Sequence, residues 1–313
     1  MGRIDEALLR AGTEDRTAAV PPPTESRTDV FTSPWAFSEE PVTEIDARPP
    51  DLAAPVGADT PSLEVALPRD GRSGVFQGFS TELAGRIVAA PGASPMLSEQ
   101  FRRLAATLHH AQLVQGTKVV MITSANPADG KTLTATNLAL TLSESYRRQV
   151  LLVDADLRRP SLHEVFRVPN VVGLNEGLKA SQDAKLQVLK ITDTLTLLPA
   201  GRPDPDPMSS LTSTRMGEIL KEGAARFDWV IVDTAPIGLL ADANLLSTMV
   251  DGALLVVRAH QTPYAAVNKA LENLGRDRIL GVVLNATEGA SSHHEYYGRY
   301  STAPDATTLA KTD

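Results

Sequence analysis

A lysine and a threonine close the segment SANPADGKT, residues 124–132. A loop of this composition, placed between an apolar run and a helical stretch, can cradle phosphate. Its backbone N–H groups and the positive end of the following helix attract the anion. Lys131 would reach the β- and γ-phosphates, and the Thr132 hydroxyl would ligate Mg2+. Asn126, Pro127, Ala128, Asp129 and Gly130 supply the backbone that wraps the nucleotide. The pattern GxxxxGK[ST] is met except at its first position, where Ala125 stands. A GKT triplet alone says little; strand, loop, triplet and helix in succession say much more.

Two further carboxylate motifs follow. LLVDADLRRP ends an apolar run with Asp154 and Asp156. Alternate residues of a strand point the same way, so both can face one crevice. One can hold Mg2+ directly or through water, and the other can accept a proton from an attacking hydroxyl. Arg158 and Arg159 can position phosphate or pair with acids. FDWVIVDTAP ends a second apolar run in Asp233, the carboxylate that orients a Mg2+ shell in P-loop enzymes. Asn285 closes the run GVVLN; it can read an adenine edge or cap a turn, and Arg258 is a similar candidate. His260, His293 and His294 lack metal-ligand spacing and read as solvated or turn histidines.

The elements that must position these residues are short runs of Val, Ile and Leu: KVVMITS, VLLVDAD, LTLLPAG, WVIVDT, ALLVVRA and ILGVVLN. Continuous apolar strands are buried on both faces, as in a parallel sheet covered by helices. Helical spacing lies between them at 131–146, 209–225 and 263–275, and ahead of them from Ser98, a candidate N-cap. The fold class is therefore α/β, a doubly wound, mostly parallel P-loop NTPase sheet. Catalytic groups belong at the carboxyl ends of its strands.

Composition sets the limits. The 313 residues contain no cysteine, which excludes disulfides and thiolate zinc sites and suits a cytoplasmic setting. No apolar run approaches the roughly 20 residues of a membrane span. Residues 1–75 carry 14 acidic and 7 basic side chains, whereas the remainder carries 24 and 23. A nearly neutral body without a basic block argues against nucleic acid as a partner. Residues 12–75 hold 10 of the 22 prolines and no hydrophobic period. The sequence thus divides into an acidic, proline-rich disordered arm over 1–75 with a short helix at 3–11, a P-loop domain over 76–290, and a flexible tail over 291–313. The tail concentrates three of the five tyrosines, Tyr296, Tyr297 and Tyr300, within HHEYYGRYS.

In this order the motifs NPADGKT, VDADLRRP and DWVIVDTAP resemble those of the bacterial tyrosine kinases of capsule and exopolysaccharide systems. SPMLSEQFRRL, VVGLNEGL and LPAGRPDPDPMSSL add to the likeness, which covers about residues 84–300. The resemblance implies an ATP-dependent autokinase that uses Mg2+. It implies Lys131 on phosphate, Thr132 on the metal, Asp154 as base or metal contact, Asp156 as its partner and Asp233 in the metal shell. It implies autophosphorylation of Tyr296, Tyr297 and Tyr300, offered to a neighbouring subunit. It also implies a membrane-spanning polysaccharide co-polymerase as activator, which recruits the chain to the inner face of the membrane. The family's ring-forming segment sets Glu, Arg and Arg at three-residue spacing; Glu99 and Arg102 match, and Ala105 departs. The loop departs too, with Ala128 where the family has glycine, so a left-handed conformation there would be strained. A ParA/MinD-type ATPase would carry a second lysine early in the loop, where Asn126 stands. An ATP-binding regulator without kinase activity would bind nucleotide and leave the tyrosines unmodified.

Overall fold

The computed structural model describes residues 63–65, 76, 78–180, 186–238 and 241–287. The 3–11 segment, nearly all of the N-terminal arm and the tail with Tyr296, Tyr297, Tyr300, His293 and His294 lie outside these residues.

Eight strands form one sheet. They are β1 (Leu63–Val65), β2 (Val119–Ser124), β3 (Val150–Asp154), β4 (Leu186–Lys190), β5 (Leu195–Leu198), β6 (Trp229–Asp233), β7 (Gly252–Arg258) and β8 (Ile279–Asn285). Their spatial order is β1-β4-β5-β3-β6-β2-β7-β8. Every pairing is parallel except the antiparallel β4–β5 hairpin. The helices are α1 (Pro95–Gln115), α2 (Lys131–Glu144), α3 (Leu162–Phe166), α4 (Leu174–Lys179), α5 (Met208–Leu211), α6 (Thr214–Arg226), α7 (Ala241–Leu246) and α8 (Tyr264–Leu274).

The central strands are continuously apolar because both of their faces are covered. Met121, Val153 and Val232 face one core layer with Met216, Ile219 and Leu246. Ile122, Leu152 and Ile231 face the other, with Leu108, Leu138 and Phe166. Alternation is present, but both of its phases are buried.

Two helix boundaries differ from those the sequence suggests, and two strands, one of them inside the stretch read as a disordered arm, are not suggested by it at all. The first long helix starts at Pro95 behind Ser94, because proline at the first helical position loses only an N–H that has no partner there. Ser98 therefore sits inside the first turn. The 209–225 helix breaks in two around Thr212–Ser213. β4 (LQVLK) is a half-exposed strand without a continuous apolar run. β1 lies within the proline-rich stretch; Glu222 Oε1 accepts its first N–H at 2.7 Å, and Arg226 donates to the carbonyl of Leu63 at 2.5 Å.

Candidate active site

The register aligns the strand ends. Asp154 pairs with Asp233, and Ile122, two residues before the end of β2, also pairs with Asp233. The phosphate-loop segment thus leaves the sheet beside both carboxylate strands. It returns as α2, whose first residue is Lys131.

The loop, Ala125–Gly130, is held by its own groups and by the far strands. Ser124 donates its hydroxyl to the Asn126 carbonyl at 2.7 Å. The backbone N–H of Asn126 donates to Asp129 Oδ2 at 2.9 Å. Asp129 Oδ1 accepts from the Thr262 hydroxyl at 2.7 Å. Arg258 donates to the Ala128 carbonyl at 3.3 Å, and Asn285 Nδ2 donates to the Asp129 carbonyl at 2.8 Å. Gly130 has φ +101°, which strains any side chain, and a Cβ there would lie 1.9 Å from Asn285 Nδ2, so a larger residue would displace that amide from the loop. Ala128 does adopt the left-handed conformation, with φ +64°. Its methyl group costs roughly 1–2 kcal/mol there.

Behind the loop sits a charge cluster. Lys131 Nζ lies 2.9 Å from Asp156 Oδ2 and 3.9 Å from Asp233 Oδ1. Burial works against the ammonium, but Asp233, Asp156 and Asp154 together raise its pKa above the ordinary lysine value. Asp154 is fully buried; its Oδ2 accepts from the backbone N–H groups of Ser161 and Leu162 at 3.1 and 3.0 Å. It therefore caps the entry to α3, and its Oδ1 accepts from the Asp156 N–H at 3.3 Å. Burial and the neighbouring Asp233 charge push its pKa up to about 8. Burial, opposed by Lys131, pushes Asp233 up to about 6. Both Asp233 carboxylate oxygens are buried without a hydrogen-bond partner among the described residues.

That orphaned pair of acceptors, beside the Thr132 hydroxyl and close to an ammonium, fits a divalent cation brought in with phosphate. Among the described residues no three His, Asp or Glu side chains form a metal cage of their own. Such a cation would complete its shell with phosphate oxygens and water, the usual habit of Mg2+.

The remaining candidates divide. Arg158 is not turned to phosphate: it forms a two-point pair with Asp242, at 2.6 and 3.2 Å, and also donates to the Pro205 carbonyl. Arg159 is exposed, and its N–H donates to Asp156 Oδ1 at 3.1 Å. Arg258 and Asn285 both grip the loop backbone. His260 is exposed in a left-handed turn with φ +58°. Glu99 pairs within α1 with Arg102 and Arg103, each at 3.7 Å. Ala105, at the third position of that segment, is fully buried.

Sequence reasoning missed Ser161, whose hydroxyl lies 2.9 Å from that of Thr132. It also missed Thr262, which reaches the loop only through the fold, and Asp242, which holds Arg158. A cleft of about 1060 Å3 opens beside the loop, lined among others by Arg86, Phe101, Lys131, Thr132, Ser161 and Asn285. It is large enough for a nucleotide.

No family model matches the chain. The tyrosine-protein kinase YwqD of Bacillus subtilis is 36% identical over 220 residues, which span 69% of this chain and 91% of that protein. The succinoglycan biosynthesis transport protein ExoP of Rhizobium meliloti is 34% identical over 234 residues. That match covers 68% of this chain but 29% of ExoP, so the chain spans less than a third of that relative's length. Among solved structures, the kinase domain of Escherichia coli tyrosine kinase ETK superposes with a TM-score of 0.56 at 30% identity, covering 62% of this chain and 78% of that one.

Proposed function

This chain belongs to the family of bacterial tyrosine-protein kinases, and we propose that it transfers the γ-phosphoryl group of ATP to its own C-terminal tyrosines, Tyr296, Tyr297 and Tyr300. The observation that carries the reading is the convergence of Lys131 with Asp156 and Asp233 at the mouth of the phosphate loop. On nucleotide binding, the Lys131 ammonium exchanges carboxylate for the β- and γ-phosphates. Asp156, released from that pairing, accepts the tyrosine hydroxyl proton as the new O–P bond forms and the bond to the β-phosphate oxygen breaks. Asp154, already engaged by three N–H groups, fixes the turn that carries Asp156. Thr132 and Asp233 would hold Mg2+, which when bound neutralises charge on the phosphates. The transition state is loose, so positioning and electrostatics matter more than a strong base.

The phosphorylated tail would regulate capsule or exopolysaccharide synthesis and export, a role supported by the likeness to ExoP. The partners are further copies of this chain, meeting through Glu99 and Arg102 on α1, and a membrane-spanning polysaccharide co-polymerase that brings the kinase to the inner membrane face. Among the described residues no helix is long and apolar enough to cross a membrane.

Incubation with Mg-ATP, followed by intact mass and peptide mapping, tests the reading. Phosphate on the three tyrosines, absent from Lys131→Met, is the expected result. ATP hydrolysis or binding without phosphotyrosine, even with the activator's cytoplasmic segment added, would overturn it in favour of an ATPase or a nucleotide-binding regulator.

A further inference from the structure

The phosphate loop is not held by its own strand and helix alone. Asp129 is buried, at 3% exposure, and it engages through both carboxylate oxygens and its carbonyl. Oδ2 draws in the N–H of Asn126, Oδ1 receives the Thr262 hydroxyl proton, and the carbonyl receives Asn285 Nδ2. The Thr262 hydroxyl is itself oriented, because it accepts the N–H of Arg258 at 3.0 Å and so has its single proton left for Asp129. A trans peptide holds its C=O and N–H antiparallel. Fixing the Asp129 carbonyl on Asn285 therefore turns the Gly130 N–H away from the β8 end. Fixing the Ala128 carbonyl on Arg258 does the same for the Asp129 N–H.

We infer that Thr262 and Asn285 are positioning residues for nucleotide binding: they act through Asp129 to pre-aim the N–H groups of the phosphate loop. The inference rests on reading residues 124–132 as a nucleotide loop. A loop aimed in advance loses little freedom on binding, whereas an unlatched one must be ordered by the ligand. The bond from Thr262 is charge-assisted, which makes it the stronger of the two anchors.

The test is calorimetric titration of the full chain with MgADP, together with melting temperatures without nucleotide. Thr262→Val removes the hydroxyl at nearly constant shape and is expected to weaken MgADP binding by about tenfold or more. Asn285→Ala is expected to weaken it by about fivefold. Thr262→Ser retains the donor and is expected to stay within about twofold of the parent. Parent-like affinity in Thr262→Val, or an equal loss in Thr262→Ser, would overturn the inference. So would a lowered melting temperature with unchanged affinity below it. If Thr262→Val does not fold, Thr262→Ala, which deletes the same hydroxyl at smaller volume, decides by the same criterion. Failure of the parent chain to bind MgADP sinks the nucleotide reading and this inference together; binding by the parent and all variants alike sinks only this inference.

Discussion

The ammonium of Lys131 lies 2.9 Å from a carboxylate oxygen of Asp156. In the proposed reaction the phosphate-binding cation and the proton acceptor would therefore neutralise each other until nucleotide arrives. One side chain's movement would then change the charge at both ends of that reaction: phosphate would gain a counter-ion as the aspartate lost one.

Replacing Lys131 by methionine removes that coupling. Phosphotyrosine formation, followed by mass, is expected to fall at least about 100-fold, the loss typical of a removed transition-state charge contact. The variant also leaves Asp154, Asp156 and Asp233 without their shared cation. Its nucleotide-free melting temperature should lie further below the parent's at pH 8 than at pH 5, since protonation relieves the carboxylates at low pH.

The pH dependence of the nucleotide-free protein follows from Asp154 and Asp233. Both pKa values are raised in the folded state, to about 8 and about 6. Above the ordinary carboxylate value the folded chain therefore holds protons that the unfolded chain has released. Stability is greatest below that value and declines as pH rises through the folded pKa values, from about 4 to about 8. Asp233→Asn should flatten the lower part of this decline, so that its stability falls less than the parent's between pH 5 and pH 8, and abolish transfer. Denaturant midpoints at pH 5 and pH 8 check it.

Ala128→Gly relieves the left-handed strain at φ +64°. Relief of roughly 1–2 kcal/mol is offset by the greater backbone entropy that glycine loses on folding, roughly 0.5–1 kcal/mol. The expected net gain is about 0.5–1 kcal/mol, read as a raised denaturant midpoint at unchanged slope.

Arg158 is predicted to matter for stability and not for phosphate. Its fork meets Asp242 at two points and also reaches the Pro205 carbonyl, so it braces the turn after β3 against α7 and the 203–207 loop. In a double-mutant cycle Arg158→Ala and Asp242→Ala should show a coupling of about 1–3 kcal/mol. MgADP affinity should stay near the parent's, and Arg158→Lys should restore little, because lysine lacks the planar fork.

What the sequence made legible depends on how each residue is placed. β2, β3, β6 and β7 stand out because burial on both faces demands unbroken Val, Ile and Leu. Lys131, Asp154, Asp156 and Asp233 stand out because they close such runs or open the helix after one. β4 is half exposed, and its LQVLK mixes polar with apolar residues. β1 has three residues among prolines and is joined to the sheet through its backbone. Thr262 meets Asp129 across 133 residues of sequence, a contact fixed only by the adjacency of β2, β7 and β8.

The last strand of the sheet has a second consequence. Asn285 grips the phosphate loop and stands only eleven residues before Tyr296 and fifteen before Tyr300. In the proposed reaction the acceptor tyrosines would thus be joined, by a short length of chain, to the strand end that holds the phosphate loop. A chain spans at most roughly 3.3–3.6 Å per residue, so Tyr296 can range no further than about 40 Å from Asn285, and Tyr300 about 54 Å. If phosphate passes from one copy to the next, that length is a ruler for the assembly: one subunit's Asn285 must lie within it of its neighbour's Lys131.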